Sequence, residues 1–400
     1  VTTAREHARP PALPRAALPE RADVVVVGGG IMGLATAWNL ARLSETPLRI
    51  VVIDRGYLCG GASGRNGGGV RAQWASETNI RLMTRSIAIC SDFATRMRIN
   101  VWFRRGGYLF LARTDERAKQ LAASAELQRA HGLPTRIVEP SEVKELVPEL
   151  DVSRVVCASW NPDDGVVFPW PFVWGYARAA SALGVAIHTH TAVEDLLTEG
   201  SRVVGVVTPR GTIRAPRVLV CAGAWSPTLT RKVGVELPSK PHRHEICSTE
   251  PLKPFLRPLV GDLQNGLYFS QSMRGEIVGG ISNERVPEGL DQRSSARFLG
   301  LYARALSEAM PILGHVKILR QWAGCYDLTP DGNPLCGEVD EAPGLYLMSG
   351  FMGHGFMMAP IMGELFAKHL LFGEEKELFE RWNLRRYREG KLLSESMILG

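Results

Sequence analysis

The sequence predicts an α/β fold joined to a second, antiparallel β sheet, with the two parts interleaved along the chain. Three observations predict it. Asp23 is followed by four valines and three glycines, Val24 to Gly30, which reads as a strand buried on both faces and then a tight turn. Short strands at Tyr108–Ala112, Leu267–Ser270 and Glu276–Ile281, separated by glycine or polar turns, read as an antiparallel sheet. A β-branched run, Arg217 to Cys221, and the strand Leu345–Ser349 then return to the first pattern. Neither part is contiguous.

The elements follow in order. Residues 1–20 hold four prolines and three arginines but no apolar stretch of a secretory signal, and read as a disordered tail. Ile31, Leu34, Ala35 and Trp38 recur at helical spacing in a helix that runs to Leu43, and Leu48–Asp54 is the next strand. Strand, helix and strand make a Rossmann-like βαβ unit. Further helices are read at Trp170–Leu183, at Ser294–Met310, halted by Pro311, and from about Ala359 to Leu371. Strands are read around Val203–Val207 and Thr212–Val220. Glu375–Tyr387, charged and Arg-rich, reads as a solvated amphipathic helix and a conceivable docking surface. The α/β part is expected to combine 21–95, 150–235 and 325–390, and the second part 96–149 and 236–324.

At 400 residues, 45% hydrophobic and 22% charged, the chain suits two globular domains. No apolar run approaches the roughly 18 residues of a membrane-spanning helix. Lys and Arg total 47 against 41 Asp and Glu, a net charge of +6, but they are scattered. That argues for an anionic substrate or cofactor and against nucleic acid. Seven cysteines without a CxxC pair argue against a disulfide framework and a thiolate metal site, and for a reducing, cytoplasmic location.

Gly28-x-Gly30-x-x-Gly33 lies between strand and helix, and Asp54 stands 21 residues beyond Gly33. These glycines allow a pyrophosphate to approach the helix start at Ile31 and Met32, and a carboxylate at Asp54, beside Arg55, can accept from ribose hydroxyls. A second loop, Gly60 to Arg71, contains Ser63, Arg65, Asn66, Gly67 and Gly68. So glycine-rich a loop can wrap a diphosphate and bring backbone amides against a flat ring, which points to FAD.

Four motifs carry a resemblance: Ser63-Gly-Arg-Asn-Gly-Gly-Gly-Val-Arg-Ala-Gln-Trp74, Cys221-Ala-Gly-Ala-Trp-Ser226, Trp322-Ala-Gly-Cys-Tyr-Asp-Leu-Thr-Pro-Asp-Gly332 and Gly350-Phe-Met-Gly-His-Gly-Phe-Met357. From about Asp23 to Tyr387 the chain resembles the FAD-dependent amine and amino-acid oxidoreductases of the D-amino-acid oxidase superfamily. It is most similar to the β-subunit type of heteromeric sarcosine oxidases and dye-linked L-proline dehydrogenases. The resemblance implies an FAD domain and a substrate domain whose antiparallel sheet covers the flavin. It implies that Val193 holds the adenine through its backbone, that Gly223 and Trp225 lie near the diphosphate, and that Gly353, His354, Gly355, Phe356 and Met357 face the flavin pyrimidine. It places Tyr268 and Tyr326 in the substrate pocket and Arg71 against the substrate carboxylate.

The implied reaction is oxidation of the C–N bond of a small amino acid (secondary, N-methylated or cyclic, such as sarcosine or proline) by hydride transfer to flavin N5, giving an imine that water hydrolyses. The resemblance leaves two alternatives, an oxidase of primary amino acids or an FAD-binding assembly or scaffold protein without turnover. It also implies a possible partner subunit. Three departures from monomeric sarcosine oxidase stand out. Gly324 takes the place of its flavin-linked cysteine, so noncovalent FAD is expected, with Cys325 on the opposite strand face. Ile277 aligns with its oxygen-activating lysine, and Met357 with its carboxylate-binding lysine.

Overall fold

The computed structural model describes residues 17–283 and 285–398; the tail read at 1–20 lies outside them but for residues 17–20. At the centre is a six-stranded sheet. Val24–Val27 lies between Ile50–Ile53 and Val218–Val220, parallel to both. Leu345–Ser349 and Ala186–His188 extend it in parallel, and the edge strand Leu335–Glu338 runs antiparallel. Alternation explains the four valines. Val24 and Val26 face a core shared with the helices Ile31–Leu43, Pro169–Ala182 and Gly355–Phe372. Val25 and Val27 face a second core, closed by the antiparallel strands Asp195–Glu199, Arg202–Thr208 and Gly211–Arg214. With both faces covered, an apolar side chain is required at every position.

The helix Gly355–Phe372 starts earlier than the expected Ala359, and Pro360 lies inside it. The proline removes one amide donor, but burial of Phe356 to Met362 outweighs that bond. This helix packs tightly on Ile31–Leu43: a methyl group on Gly363 would sit 2.7 Å from the Ala35 backbone.

The second large sheet has eight strands, in the order Ile318–Leu328, Lys240–Pro251, Glu276–Gly280, Leu267–Gln271, Leu259–Asp262, Tyr108–Ala112, Cys157–Asn161 and Arg136–Val138. Neighbours run antiparallel except Tyr108–Ala112 and Leu259–Asp262, which are parallel. Cys157–Asn161 falls in the 150–235 stretch expected in the α/β part, yet it belongs here. Its Ala158 joins Leu109, Leu111 and Val138 in a third core. Cys247, Phe269 and Ile277 point into the same core, against Phe298, Tyr302 and Leu306 of the helix Ala296–Ala309. The residues that alternate with them face the glycine loops instead.

Two short helices, Lys376–Arg381 and Arg385–Arg388, replace the single helix expected at 375–387. The reason is Arg386, which turns inward. Its Nε lies 2.7 Å from Asp331 Oδ2 and its Nη2 3.0 Å from Oδ1, and the Tyr387 hydroxyl donates to Oδ1 at 2.6 Å. This end of the chain is an anchor rather than a solvated face. Among the described residues no helix is long and apolar enough to cross a membrane.

Candidate active site

One cavity of about 610 Å³ runs between the two large sheets. It begins at Val193, Gly223 and Trp225, where the Arg55 guanidinium stacks 4.0 Å from the Trp225 ring. It passes Gly28, Gly30, Ile31 and Met32, where the first helix opens. Gly28 has φ +120°, and a side chain there would strike the Cys221 carbonyl. Gly33 does not line the cavity; it lies beneath the turn, against the Gly28 carbonyl. Gly30 is the N-cap and supplies no side-chain acceptor, so Ser63 Oγ reaches across to the Ile31 amide at 3.0 Å. Asp54 accepts from the Gly29 and Gly56 amides, both at 2.7 Å, which fixes its carboxylate beside the turn.

In the second loop the polar side chains build the loop itself. Arg65 lines the cavity, and its Nε donates to the Gly60 carbonyl and its Nη1 to that of Ala323, each at 3.0 Å. Asn66 donates to the Ser63 carbonyl at 2.7 Å and accepts from the Gly68 amide at 2.8 Å. Gly60 to Ser63 and Arg65 to Gly69 of this loop line the cavity.

The far end is formed by Arg71, Tyr108, Tyr268, Tyr326 and the segment Gly353, His354, Gly355, Phe356, Met357. Gly353 has φ +79°, and a methyl group on it would lie 2.6 Å from the Tyr326 ring. The helix beginning at Gly355 also lacks a side-chain cap, so a second positive helix end meets the cavity. Arg71 is 1% exposed. It donates to the Gln73 and Met397 carbonyls, and its Nη2 donates to His354 Nε2 at 3.3 Å. Its guanidinium stacks 3.9 Å from the Trp74 ring. No carboxylate pairs with it among the described residues. Burial, and then Arg71, hold His354 well below the usual imidazole range, so this histidine is a neutral acceptor.

Sequence reasoning missed His244, Tyr108 and Asp164. His244 stacks between Tyr268 and Tyr326, at 5.7 and 4.7 Å, with Nε2 3.0 Å from the Tyr268 hydroxyl. Burial, with His242, pushes its pKa down to about 3. Asp164, pushed up to about 7 by burial, accepts from the Ala72 amide at 2.7 Å and from Gln73 Nε2 at 3.1 Å, bracing the chain beyond Arg71. The signal for Tyr108 and His244 was weak, because in a strand such residues look like packing, and Asp164 sits in the polar turn between the strands Cys157–Asn161 and Gly165–Val166.

The sheet face settles two strand readings. Ile277 was aligned over the ring, but it is buried in the third core, and Val278 lines the cavity. One residue of register exchanges the faces. Gly324 lines the cavity opposite His244 in the strand pairing. The Cys325 sulfur lies on the other face, 3.9 and 3.7 Å from the Gly289 and Asp291 carbonyls.

The family model for FAD dependent oxidoreductase matches residues 23–369. The chain belongs to the FAD dependent oxidoreductase family. This FAD-dependent oxidoreductase is 31% identical over 386 residues to the sarcosine oxidase subunit beta of Rhodobacter capsulatus, covering 95% of this chain and 92% of that one. The crystal structure of L-proline dehydrogenase from P. horikoshii superposes with a TM-score of 0.87 at 34% identity, over 94% of this chain and 100% of that chain. Glycine oxidase from Geobacillus kaustophilus superposes with a TM-score of 0.80 at 26% identity, over 89% and 96%.

The cavity of this oxidoreductase fits FAD. Two helix N-termini and a glycine-rich loop line it and would offer amides to a diphosphate and to an electron-rich ring, and Asp54, fixed beside the turn, would accept from a ribose hydroxyl. With glycine at 324 and the Cys325 thiol turned away, acid or heat precipitation is expected to release FAD into the supernatant. Flavin fluorescence that stays with the denatured polypeptide on a gel would contradict this.

Proposed function

We propose that this protein oxidises the C–N bond of a small amino acid carrying a secondary, N-methylated or cyclic amine, of the sarcosine or proline class. Bound FAD supplies a hydride acceptor at N5, and the imine product is hydrolysed by water. The observation that carries the reading is Arg71. It is a buried guanidinium that makes no ion pair among the described residues, with the carboxylates of Glu395 and Asp164 acting on it only through space, at the end of the cavity where tyrosines close over the glycine loops. A cation so placed is costly, and a substrate carboxylate would neutralise it. The carboxylate would then orient the amine, while Tyr268, Tyr326 and Ile246 exclude water. Both histidines at this end are neutral, so the chain offers no strong base, and the reaction needs little beyond a neutral, well-held amine. Similarity to proteins named sarcosine oxidase and L-proline dehydrogenase supports the amine class.

The sheet face over the cavity carries His244, Ile246, Tyr268, Ser270, Val278 and Tyr326, with no lysine or arginine among them. Nothing on that face stabilises superoxide, so a dye or quinone is the proposed acceptor. Turnover of sarcosine or proline with a redox dye, followed by capture of the carbonyl product with a hydrazine, is expected to run much faster than with oxygen. Equal rates would contradict the dehydrogenase assignment, and no carbonyl product with either acceptor would contradict the reaction.

A partner subunit is proposed on the face where Trp102, Phe168 and Met273 are 43%, 39% and 58% exposed around a second cavity of about 370 Å³. The relatives named subunit beta support it. All seven cysteines are free and buried, which supports a reducing compartment such as the cytoplasm.

A further inference from the structure

Tyr108 begins the strand Tyr108–Ala112, and its ring packs beside Phe110, with centroids 5.6 Å apart. The residue is 3% exposed, yet its hydroxyl has no hydrogen-bond partner among the described residues. It lines the same cavity as Arg71 and Tyr326. The hydroxyl lies against the glycine loop: a methyl group on Gly69 would sit 1.7 Å from its oxygen. Gly69 is therefore the residue that leaves room for it.

The neighbouring tyrosines are engaged. The Tyr268 hydroxyl is 3.0 Å from His244 Nε2, and the same imidazole stacks on the Tyr326 ring at 4.7 Å. Met357 brings no charge, and its carbonyl accepts from Ser86 Oγ at 2.5 Å. A phenol whose O–H meets no protein acceptor and opens onto the cavity suits an acceptor arriving from outside. Burial raises its pKa, with Arg71 opposing, so at neutral pH it is a donor.

We infer that Tyr108 is a substrate-binding residue, whose hydroxyl donates to one oxygen of the substrate carboxylate while Arg71 holds the other. This rests on the amino-acid reading above. One cation and one neutral donor match a single carboxylate, so monocarboxylic amino acids are favoured over dicarboxylic ones.

The test uses the FAD-loaded protein and a pair of flat ligands that cannot be oxidised, furan-2-carboxylate and its primary amide, titrated through the flavin absorbance. Wild type is expected to bind the carboxylate more tightly than the amide. Tyr108→Phe should weaken the carboxylate by roughly 10- to 100-fold and the amide by less than about 10-fold, since a bond to a charged acceptor is the stronger one. Flavin content and Tm should be unchanged. Equal weakening of both ligands would mark a packing role and overturn the assignment. So would an unchanged Kd for the carboxylate in Tyr108→Phe when Arg71→Ala has lost it, and the amino-acid reading would then stand. Wild type that does not distinguish acid from amide would overturn that reading itself.

Discussion

Arg71→Ala is expected to lower kcat/KM for the amino-acid substrate by roughly 30- to 1000-fold, with FAD retained. The guanidinium is buried, lines the cavity and has no carboxylate partner among the described residues, so a substrate carboxylate is its natural counter-charge. Met357 contributes no second positive charge, which leaves the Coulombic part of recognition to Arg71. The same side chain donates to the carbonyls of Gln73 and Met397, so flavin content and Tm belong to the same preparation. Arg71→Lys keeps the charge but loses the planar fork, and an intermediate loss is expected. Full flavin with unchanged kcat/KM would exclude the role. Loss of FAD instead would assign Arg71 to the cofactor.

Arg386→Ala is expected to destabilise the protein by about 3–5 kcal/mol, the cost of leaving one partner of a buried ion pair alone. The side chains of Arg386 and Asp331 are 3% and 0% exposed. Besides Asp331, Arg386 donates to the Trp382 carbonyl at 2.8 Å and the Asn333 carbonyl at 2.9 Å, so the loop after the Ile318–Leu328 strand is tied to the chain end. Chemical denaturation of the FAD-loaded protein measures the loss. A double variant, Arg386→Met with Asp331→Asn, should recover part of it, because no charge remains buried. The pH dependence has a fixed sign. Burial disfavours the Asp331 carboxylate, but the bonds from Arg386 and Tyr387 outweigh it and hold the pKa below 3.8. The contribution is therefore fully present above pH 3.8 and fades as pH falls below it. The gap between wild type and Arg386→Ala should narrow in acid. A gap below about 1 kcal/mol at neutral pH would place the pair with ordinary surface ion pairs.

Much of the fold is legible because its signals are local. Four valines can only serve a strand covered on both sides, and Gly28, Gly30 and Asp54 announce their turn by spacing alone. The parts that escape depend on register or on distant partners. Ile277 and Val278 are both apolar, so the pattern does not say which faces the cavity, and the alignment chose the wrong one. Arg65 sits in a glycine loop that invites a phosphate role, and nothing local shows that it also reaches the Ala323 carbonyl, 258 residues away. Arg386 lies in a run of arginines that reads as solvated, and nothing local reveals that Asp331 waits beneath it. Tyr108 and His244 hide for the opposite reason: aromatic residues in strands are ordinary packing until neighbouring strands bring them to one cavity wall.

The most direct measurement is anaerobic stopped-flow absorbance of the FAD-loaded protein mixed with N-methyl, cyclic and primary amino acids, each beside its carboxamide. The account predicts flavin bleaching by a secondary amino acid, saturable and abolished or strongly slowed when the carboxylate is replaced by the amide. Bleaching by amines regardless of the carboxylate would contradict the role of Arg71. No bleaching by any member of the panel would contradict the proposed oxidation.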